Sequence, residues 1–492
     1  MILLLLLGVI GSGMAFSTCQ AAQLSEATQT CLACHVSVMP GIHGDWLSSR
    51  HSRVAPADAM ALPKAQKRIS ASSVEGSLGQ TAVGCAECHM LRPEEHPDSF
   101  EHNGFRIHTV VSPADCATCH PVEVEQYKQN IMSHAFGNLM DNALFSLLAA
   151  SINGVHALAP KGLDQGSQDP LTLSDSCLSC HGTKVQVMQL KKRPTSMGEM
   201  EFPVLSGWPN QGVGRINPDA SMGSCTACHT RHAFSIEVAR KPQTCSQCHQ
   251  GPDVPAFPVY KVSKHGNLYE AQANKWNFHE VPWRLGKDFT APTCAACHAS
   301  LLAGPDGEVL VERTHRMNDR LPWRLFGLVY SHPHPQSPET SKIRNKAGLP
   351  LPTELTGEPA DLFLIQPQEL TTRLQNMKEV CWNCHSTSWV EAHFQKLENT
   401  LSSTNQSTLA ATRILLRAWE QGLASQENPF EEPIEKSWVQ QWLFFANSTR
   451  FASAMGGADY GVFANGRWNL SKNISEMWEW LRQAEASRKE KK

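Results

Sequence analysis

Eight times along this chain two cysteines three residues apart are followed at once by a histidine. The pairs are Cys31 and Cys34, Cys85 and Cys88, Cys116 and Cys119, Cys177 and Cys180, Cys225 and Cys228, Cys245 and Cys248, Cys294 and Cys297, and Cys381 and Cys384. The histidines are His35, His89, His120, His181, His229, His249, His298 and His385. These motifs consume sixteen of the seventeen cysteines and leave only Cys19. Zinc half-sites and disulfides also use paired cysteines, but neither needs a histidine after every pair. Covalent attachment of c-type haem needs all three residues: two thiols add to the vinyl groups and the imidazole takes one axial position on iron. The cofactors expected are therefore eight c-type haems.

The densest stretch holds two motifs, Cys225 to His229 and Cys245 to His249, together with His232 and His265. On a helix His229 and His232 project to one side. One ring can bind its own haem while the other reaches a neighbour, as in a stacked array. Beyond the eight motif histidines there are fourteen others. A haem capped on both faces by histidine carries electrons, whereas an iron with one open face can bind a substrate. The number of histidines does not decide between these cases.

These residues must be positioned by a chain of 492 residues, roughly sixty per motif, with 41% hydrophobic residues. The macrocycles must then supply much of the buried core. Net charge is only −3 before any propionates are counted, and no basic run beyond the tail from Arg488 suggests nucleic acid. Residues 1–21 read as a secretory signal peptide without a positive start, and Cys19 follows a poor lipoprotein box. Covalent haem attachment requires export in bacteria, so a periplasmic location is expected. The longest later apolar run, Ala143 to Ala150, is short of the ~20 residues of a membrane span and reads as a buried helix. The fold expected is mostly α with extensive irregular loops and no convincing strands. A haem-binding body over 22–400 precedes a C-terminal helical part over 401–492. There Leu409, Leu416 and Trp419 form a first stripe, Trp438, Trp442 and Phe445 a second, and Ile474, Trp478 and Leu481 a third. Gly-, Pro- and Asp-rich residues 155–175 and 193–222 read as surface loops.

The chain resembles the octahaem hydroxylamine oxidoreductase family of multihaem cytochromes c. The resemblance is carried by Cys225-x-x-Cys-His-Thr-Arg-His with Phe234-Ser235, Arg240-Lys241-Pro242, Cys245-x-x-Cys-His-x-Gly251-Pro252-Asp253, Ser263-Lys264-His265-Gly266, Lys275-Trp276-Asn277 and Thr314-His315. It implies that the fourth haem, on Cys177 to His181, is five-coordinate and catalytic and that the other seven are electron carriers. Distal ligands carry over onto His51, His134, His232, His265 and His315, with one more from His102 or His108. The family's remaining ligand falls where this chain has Ala452, leaving His279, His393 or the second of the His102/His108 pair. His43, His96, His156, His332 and His334 are read as surface or loop residues.

The resemblance also implies nitrogen-compound chemistry: hydroxylamine or hydrazine oxidation, or the reverse, nitrite going to hydroxylamine or ammonium. Oxidising relatives place an Asp-His pair after the sixth motif, and here Asp253 is followed by Val254. They also link a tyrosine of a neighbouring subunit to the catalytic haem, and Gly456-Gly457-x-x-Tyr460 matches that spacing while the residues after it do not. The site residues expected are thus His181, Asp253 and Tyr460, with the reductive direction favoured and a haem wire without chemistry as a further reading. The redox partner expected is a membrane quinol-oxidising multihaem cytochrome or a small soluble cytochrome, and a homotrimer is implied.

Overall fold

The computed structural model describes residues 22–490 apart from 161, 196 and 197. The expected signal peptide and Cys19 lie outside the described residues. The chain is mainly helical, with many short helices joined by irregular segments before residue 367 and long helices after it.

Each haem motif is itself close to one helical turn. In five of them the histidine N–H donates to the first cysteine's carbonyl, from 2.8 Å at His120 to 3.0 Å at His385. That turn brings both thiols and the imidazole onto one face. Capping fixes where the turns begin. Ser112 and Asp115 form a reciprocal cap just ahead of Cys116, and Pro113 opens that helix. The helix Cys177–His181 is closed by Gly182 at φ +92, where an added Cβ would meet the backbone N of Arg215 at 2.3 Å. Only glycine lets the chain pass so close beneath His181.

Two expectations need correction. Much of the loop expected over 193–222 is strand up to Ser206: Gln186–Thr195 and Gly198–Ser206 pair antiparallel as a long exposed ribbon. The composition hid it, because Pro194 and Pro203 interrupt both strands; a two-stranded ribbon has only edges, where proline is tolerated. Shorter hairpins join Ser99–His102 to Phe105–His108 and His156–Ala159 to Gly162–Gln165. The boundary expected at 400 falls inside one 34-residue helix, Thr387–Glu420, which starts directly after His385 and ties the last motif to the C-terminal bundle.

That bundle follows the first two expected stripes, whereas in the third Trp478 points outward, 44% exposed beneath Arg417, and Leu470, Met477 and Leu481 form the buried face. Pro433–Val439 continues through a π-helical turn, Gln440–Phe445, into Ala446–Met455, and Arg467–Glu490 closes it. Ala411, Leu415, Trp438, Trp442 and Met477 pack together there with almost no exposure, together with Val329 and Tyr330 from the haem-motif part. The half-buried helix Ala143–Asn153 packs Leu144, Leu147 and Leu148 against the same core. Among the described residues no single helix is long and apolar enough to cross a membrane.

Candidate functional site

A continuous cavity of about 1960 Å³ runs through the molecule, lined by cysteines or histidines of every motif from Cys88 onward. The first motif lies outside its lining. The order of motifs in space follows from thiol contacts. Cys116 lies beside Cys225, Cys180 beside Cys248, and Cys245 beside Cys294, each close enough to perturb its partner's thiol. Weaker electrostatic contacts join Cys31 to Cys85, Cys88 to Cys119, Cys228 to Cys245 and Cys297 to Cys381. The motifs therefore form a row, first, second, third, fifth, sixth, seventh, eighth, with the fourth attached beside the sixth.

Whether the residues fit haem can be tested on imidazole spacing. An iron bound at about 2 Å by two imidazoles separates their ring centroids by roughly 6 Å. His35 and His102 stand 6.1 Å apart, His51 and His120 6.3 Å, His229 and His315 6.4 Å, and His265 and His385 6.0 Å. Burial pushes the pKa of His51, His229 and His315 down to about 4, so these rings are neutral and carry a lone pair at neutral pH. The donor set, the spacing and the cavity fit c-type haem.

The structure separates His102 from His108. His102 faces His35, whereas His108 sets Nε2 3.1 Å from the Leu91 carbonyl and Nδ1 3.3 Å from that of Val110. His108 lies 6.1 Å from His89, but no nitrogen is left for a metal. His232 is within electrostatic reach of His89; its pKa is lowered by burial and then by that neighbour. It is the ring available to the second haem.

Three expectations about histidines change. His134 directs Nε2 to the Lys128 carbonyl at 2.9 Å and faces no second ring. Neither candidate for the remaining ligand is free: His393 donates from Nε2 to the Ala454 carbonyl at 3.1 Å, and exposed His279 pairs with Glu237 at 2.8 Å. And His96, His332 and His334 are buried, not surface residues. His96 lies between Asp98 at 3.1 Å and Asp115 at 3.2 Å and stacks on His108 at 3.6 Å. Donor atoms of His96, His108 and Asp115 lie close enough for a metal ion, but both His96 nitrogens already face carboxylates. Among the described residues, then, His181, His249 and His298 have no facing imidazole.

His181 is oriented by Nδ1, which donates to the Ala135 carbonyl at 3.2 Å and leaves Nε2 toward the cavity. Burial lowers its pKa, the Ala135 contact and Asp253 oppose that, and Arg324 adds to it. His249 is lowered by burial too and feels the same Asp253 and Arg324. The pocket between the fourth and sixth motifs thus has an acid and a guanidinium bearing on both of its motif histidines. Asp253 and Val254 both line it. The Asp253 carbonyl accepts from Asn447 Nδ2 at 2.9 Å, which ties its loop to the helix Ala446–Met455. Tyr460 sits in the helical turn Ala458–Val462 with its carbonyl accepting from Ser448 Oγ, and it does not line the cavity of its own chain. The sequence reading missed Arg324 and His334; a His-Pro-His-Pro stretch at 332–335 was the only signal.

Residues 214–321 match the family described as seven times multi-haem cytochrome CxxCH, and 166–252 match cytochrome c7 and related cytochrome c. A solved structure titled a hypothetical multiheme protein is 40% identical and superposes with a TM-score of 0.89 over 95% of this chain and 98% of its own. A probable nitrite reductase-hydroxylamine oxidoreductase fusion protein of Kuenenia stuttgartiensis is 23% identical over 92% of this chain. The chain spans about half of that relative, 47% of its length. A reducing HAO-like protein complex of Kuenenia stuttgartiensis shares the fold at a TM-score of 0.60 and 17% identity, over 95% of this chain and 87% of its own.

Proposed function

The chain belongs to the hydroxylamine oxidoreductase-like family of multihaem cytochromes c, and on that premise we propose that it is a periplasmic octahaem oxidoreductase that reduces nitrite at its fourth haem. The observation that carries the reading is His181: it is held by the Ala135 carbonyl, faces no second imidazole, and has Asp253 and Arg324 beside it. When bound, c-type haem supplies electron transfer and, where a face is open, a site for a small ligand.

The chain's own residues do the rest. Paired histidines such as His35 with His102 and His51 with His120 would hold a haem between them and reserve it for electron transfer. Asp253 is the group placed to move protons, and protons are what the reductive direction consumes. Nitrite takes up four electrons and five protons to give hydroxylamine and water, or six electrons and eight protons to give ammonium and two waters. An external donor supplies the electrons, either a membrane quinol-oxidising multihaem cytochrome or a soluble cytochrome. The reductive direction is favoured over hydroxylamine or hydrazine oxidation by Val254, which cannot carry a proton. Tyr460 lies off its own chain's cavity, as a tyrosine serving a neighbouring subunit would, so the tyrosine bond is part of the test.

The test uses the purified holoprotein. Haem quantitation against protein should give eight haems, and a high-spin signal that nitrite removes should account for one of them. With a reduced dye as donor, nitrite should yield hydroxylamine or ammonium. A wholly low-spin spectrum indifferent to nitrite would leave a wire. Fast hydroxylamine-dependent dye reduction, with Tyr460 covalently attached to the haem peptide, would reverse the direction assigned.

A further inference from the structure

Among the described residues, one half-buried arginine of the cavity lining has no hydrogen-bond or ion-pair partner. Arg324 lies on the short strand Trp323–Arg324, lines the cavity, and makes no hydrogen bond or ion pair among the described residues. Its only close neighbour contact of note is a guanidinium carbon 5.3 Å from the Phe326 ring. Other arginines of this lining are already engaged: Arg240 with the carbonyls of Phe278 and Glu280, Arg313 with Glu123, and Arg320 with the carbonyls of Cys297 and Glu312. Arg50 is also without a partner, but it is exposed.

Arg324 is held in place by its own strand, which pairs Arg324 with His332 and Trp323 with Pro333. Two residues on, buried His334 faces the same cavity. Its backbone N–H donates to the Pro322 carbonyl at 3.0 Å and its Nδ1 donates to the Pro335 carbonyl at 3.2 Å, leaving Nε2 without a partner. A fixed planar guanidinium with five unused donors, set in a largely apolar pocket, matches a small planar oxyanion far better than a neutral ligand.

We propose that Arg324 is the oxyanion-binding residue of the fourth-haem pocket and gives the site its hold on anionic nitrite, while the His334 Nε2 lone pair can accept only from a ligand that donates, such as hydroxylamine. The inference rests on the reading of the fourth haem as open. Arg324 precedes Leu325, whose carbonyl accepts from Arg450, and Arg450 and Asn447 tie that strand to the Asp253 loop after the sixth motif; its charge also bears on His181 and His249. His334 feels it too.

The experiment titrates the holoprotein with nitrite, hydroxylamine and carbon monoxide, following the high-spin signal and the optical spectrum, in wild type and in the Arg324→Gln and Arg324→Lys variants. Losing charge-assisted hydrogen bonds to an anion should weaken nitrite binding by about ten- to a hundredfold in Arg324→Gln. Hydroxylamine and carbon monoxide should bind unchanged, which also shows the pocket intact, and Arg324→Lys should recover part of the loss. His334→Gln should weaken hydroxylamine binding, which can donate to Nε2, more than nitrite binding. Unaltered nitrite binding in Arg324→Gln, with shifted haem potentials, would overturn the inference by showing that Arg324 serves a haem propionate. An equal loss for all three ligands would overturn it as well. Wild type that binds none of them would overturn the open-haem reading itself.

Discussion

Asn447 offers the sharpest test of how the C-terminal bundle supports the site. Its side chain is fully buried; Nδ2 donates to the carbonyls of Asp253 at 2.9 Å and Leu443 at 2.8 Å, and Oδ1 accepts from Arg450 at 3.1 Å. Arg450, itself fully buried, also reaches Thr404, the Leu325 carbonyl and Asn405. One polar knot thus joins the helix Thr387–Glu420, the helix Ala446–Met455, the Arg324 strand and the Asp253 loop. In Asn447→Ala the guanidinium loses one of its charge-assisted bonds, worth about 1.5–3 kcal/mol, and the part-buried contact to the Asp253 carbonyl adds about 1 kcal/mol. The expected loss is about 2–4 kcal/mol, read as a lower urea midpoint by far-ultraviolet circular dichroism. Because the Asp253 loop loses its tie, nitrite turnover should fall as well, while dithionite still reduces every haem. The comparison is Asn473→Ala, which removes buried bonds to Ser437 and Gln441 in the same bundle but away from that loop. It should cost similar stability and leave turnover unchanged. If the two variants lose activity equally, or Asn447→Ala loses stability alone, Asn447 does not position Asp253.

Three further outcomes are expected. Asp253→Asn should lower nitrite turnover by about a hundredfold or more, the scale of a lost proton-transfer group, with haem reduction rates preserved; parallel loss of both would deny it that role. His102→Ala should convert one haem from low to high spin, whereas His108→Ala should not, as read by electron paramagnetic resonance. The His96 cluster should make stability depend on pH. Burial alone would lower the His96 pKa, but hydrogen bonds to Asp115 and Asp98 outweigh it and hold it at about 9; Asp219, and Arg92 across from it, complete the cluster. Its folded pKa exceeds the ordinary histidine value, so the stabilisation is complete below about 6.5 and is lost as pH rises toward 9. The urea midpoint should therefore fall between pH 7 and 9, and His96→Gln should flatten that slope.

The attachment residues were fully legible because covalent chemistry dictates spacing within one turn, and the C-terminal helices because their apolar stripes keep a period near 3.6. Partners for the irons were only partly legible. A second axial histidine comes from a distant segment, and nothing local marks His102 as free or His108 as bonded to carbonyls. The 186–206 ribbon escaped because proline and lysine disguise a strand that has no partner sheet. His96, His332 and His334 were misjudged for one reason: local polarity suggested surface, whereas each is buried with a hydrogen-bond acceptor at Nδ1. Arg324 carried no sequence signal, since its significance is the absence of a partner.

An open face does not by itself choose the catalytic iron, because His249 and His298 lack a facing imidazole as His181 does. Surroundings narrow the choice. His298 lies beside Arg320, whose guanidinium is tied to the carbonyls of Cys297 and Glu312, and no acid bears on it as Asp253 does on His181. Asp253 and Arg324 bear on His181 and His249 together. Between those two, position in the row decides. The sixth motif neighbours the fifth through Cys245 and Cys228, the seventh through Cys245 and Cys294, and the fourth through Cys248 and Cys180. It is a junction, and a junction must pass electrons on. Among the described residues the fourth motif nears another motif's thiol at Cys180, beside Cys248. A terminal branch beside a proton-carrying acid and an unpaired guanidinium is where electrons, protons and an anion can meet, and that is the chemical requirement of nitrite reduction.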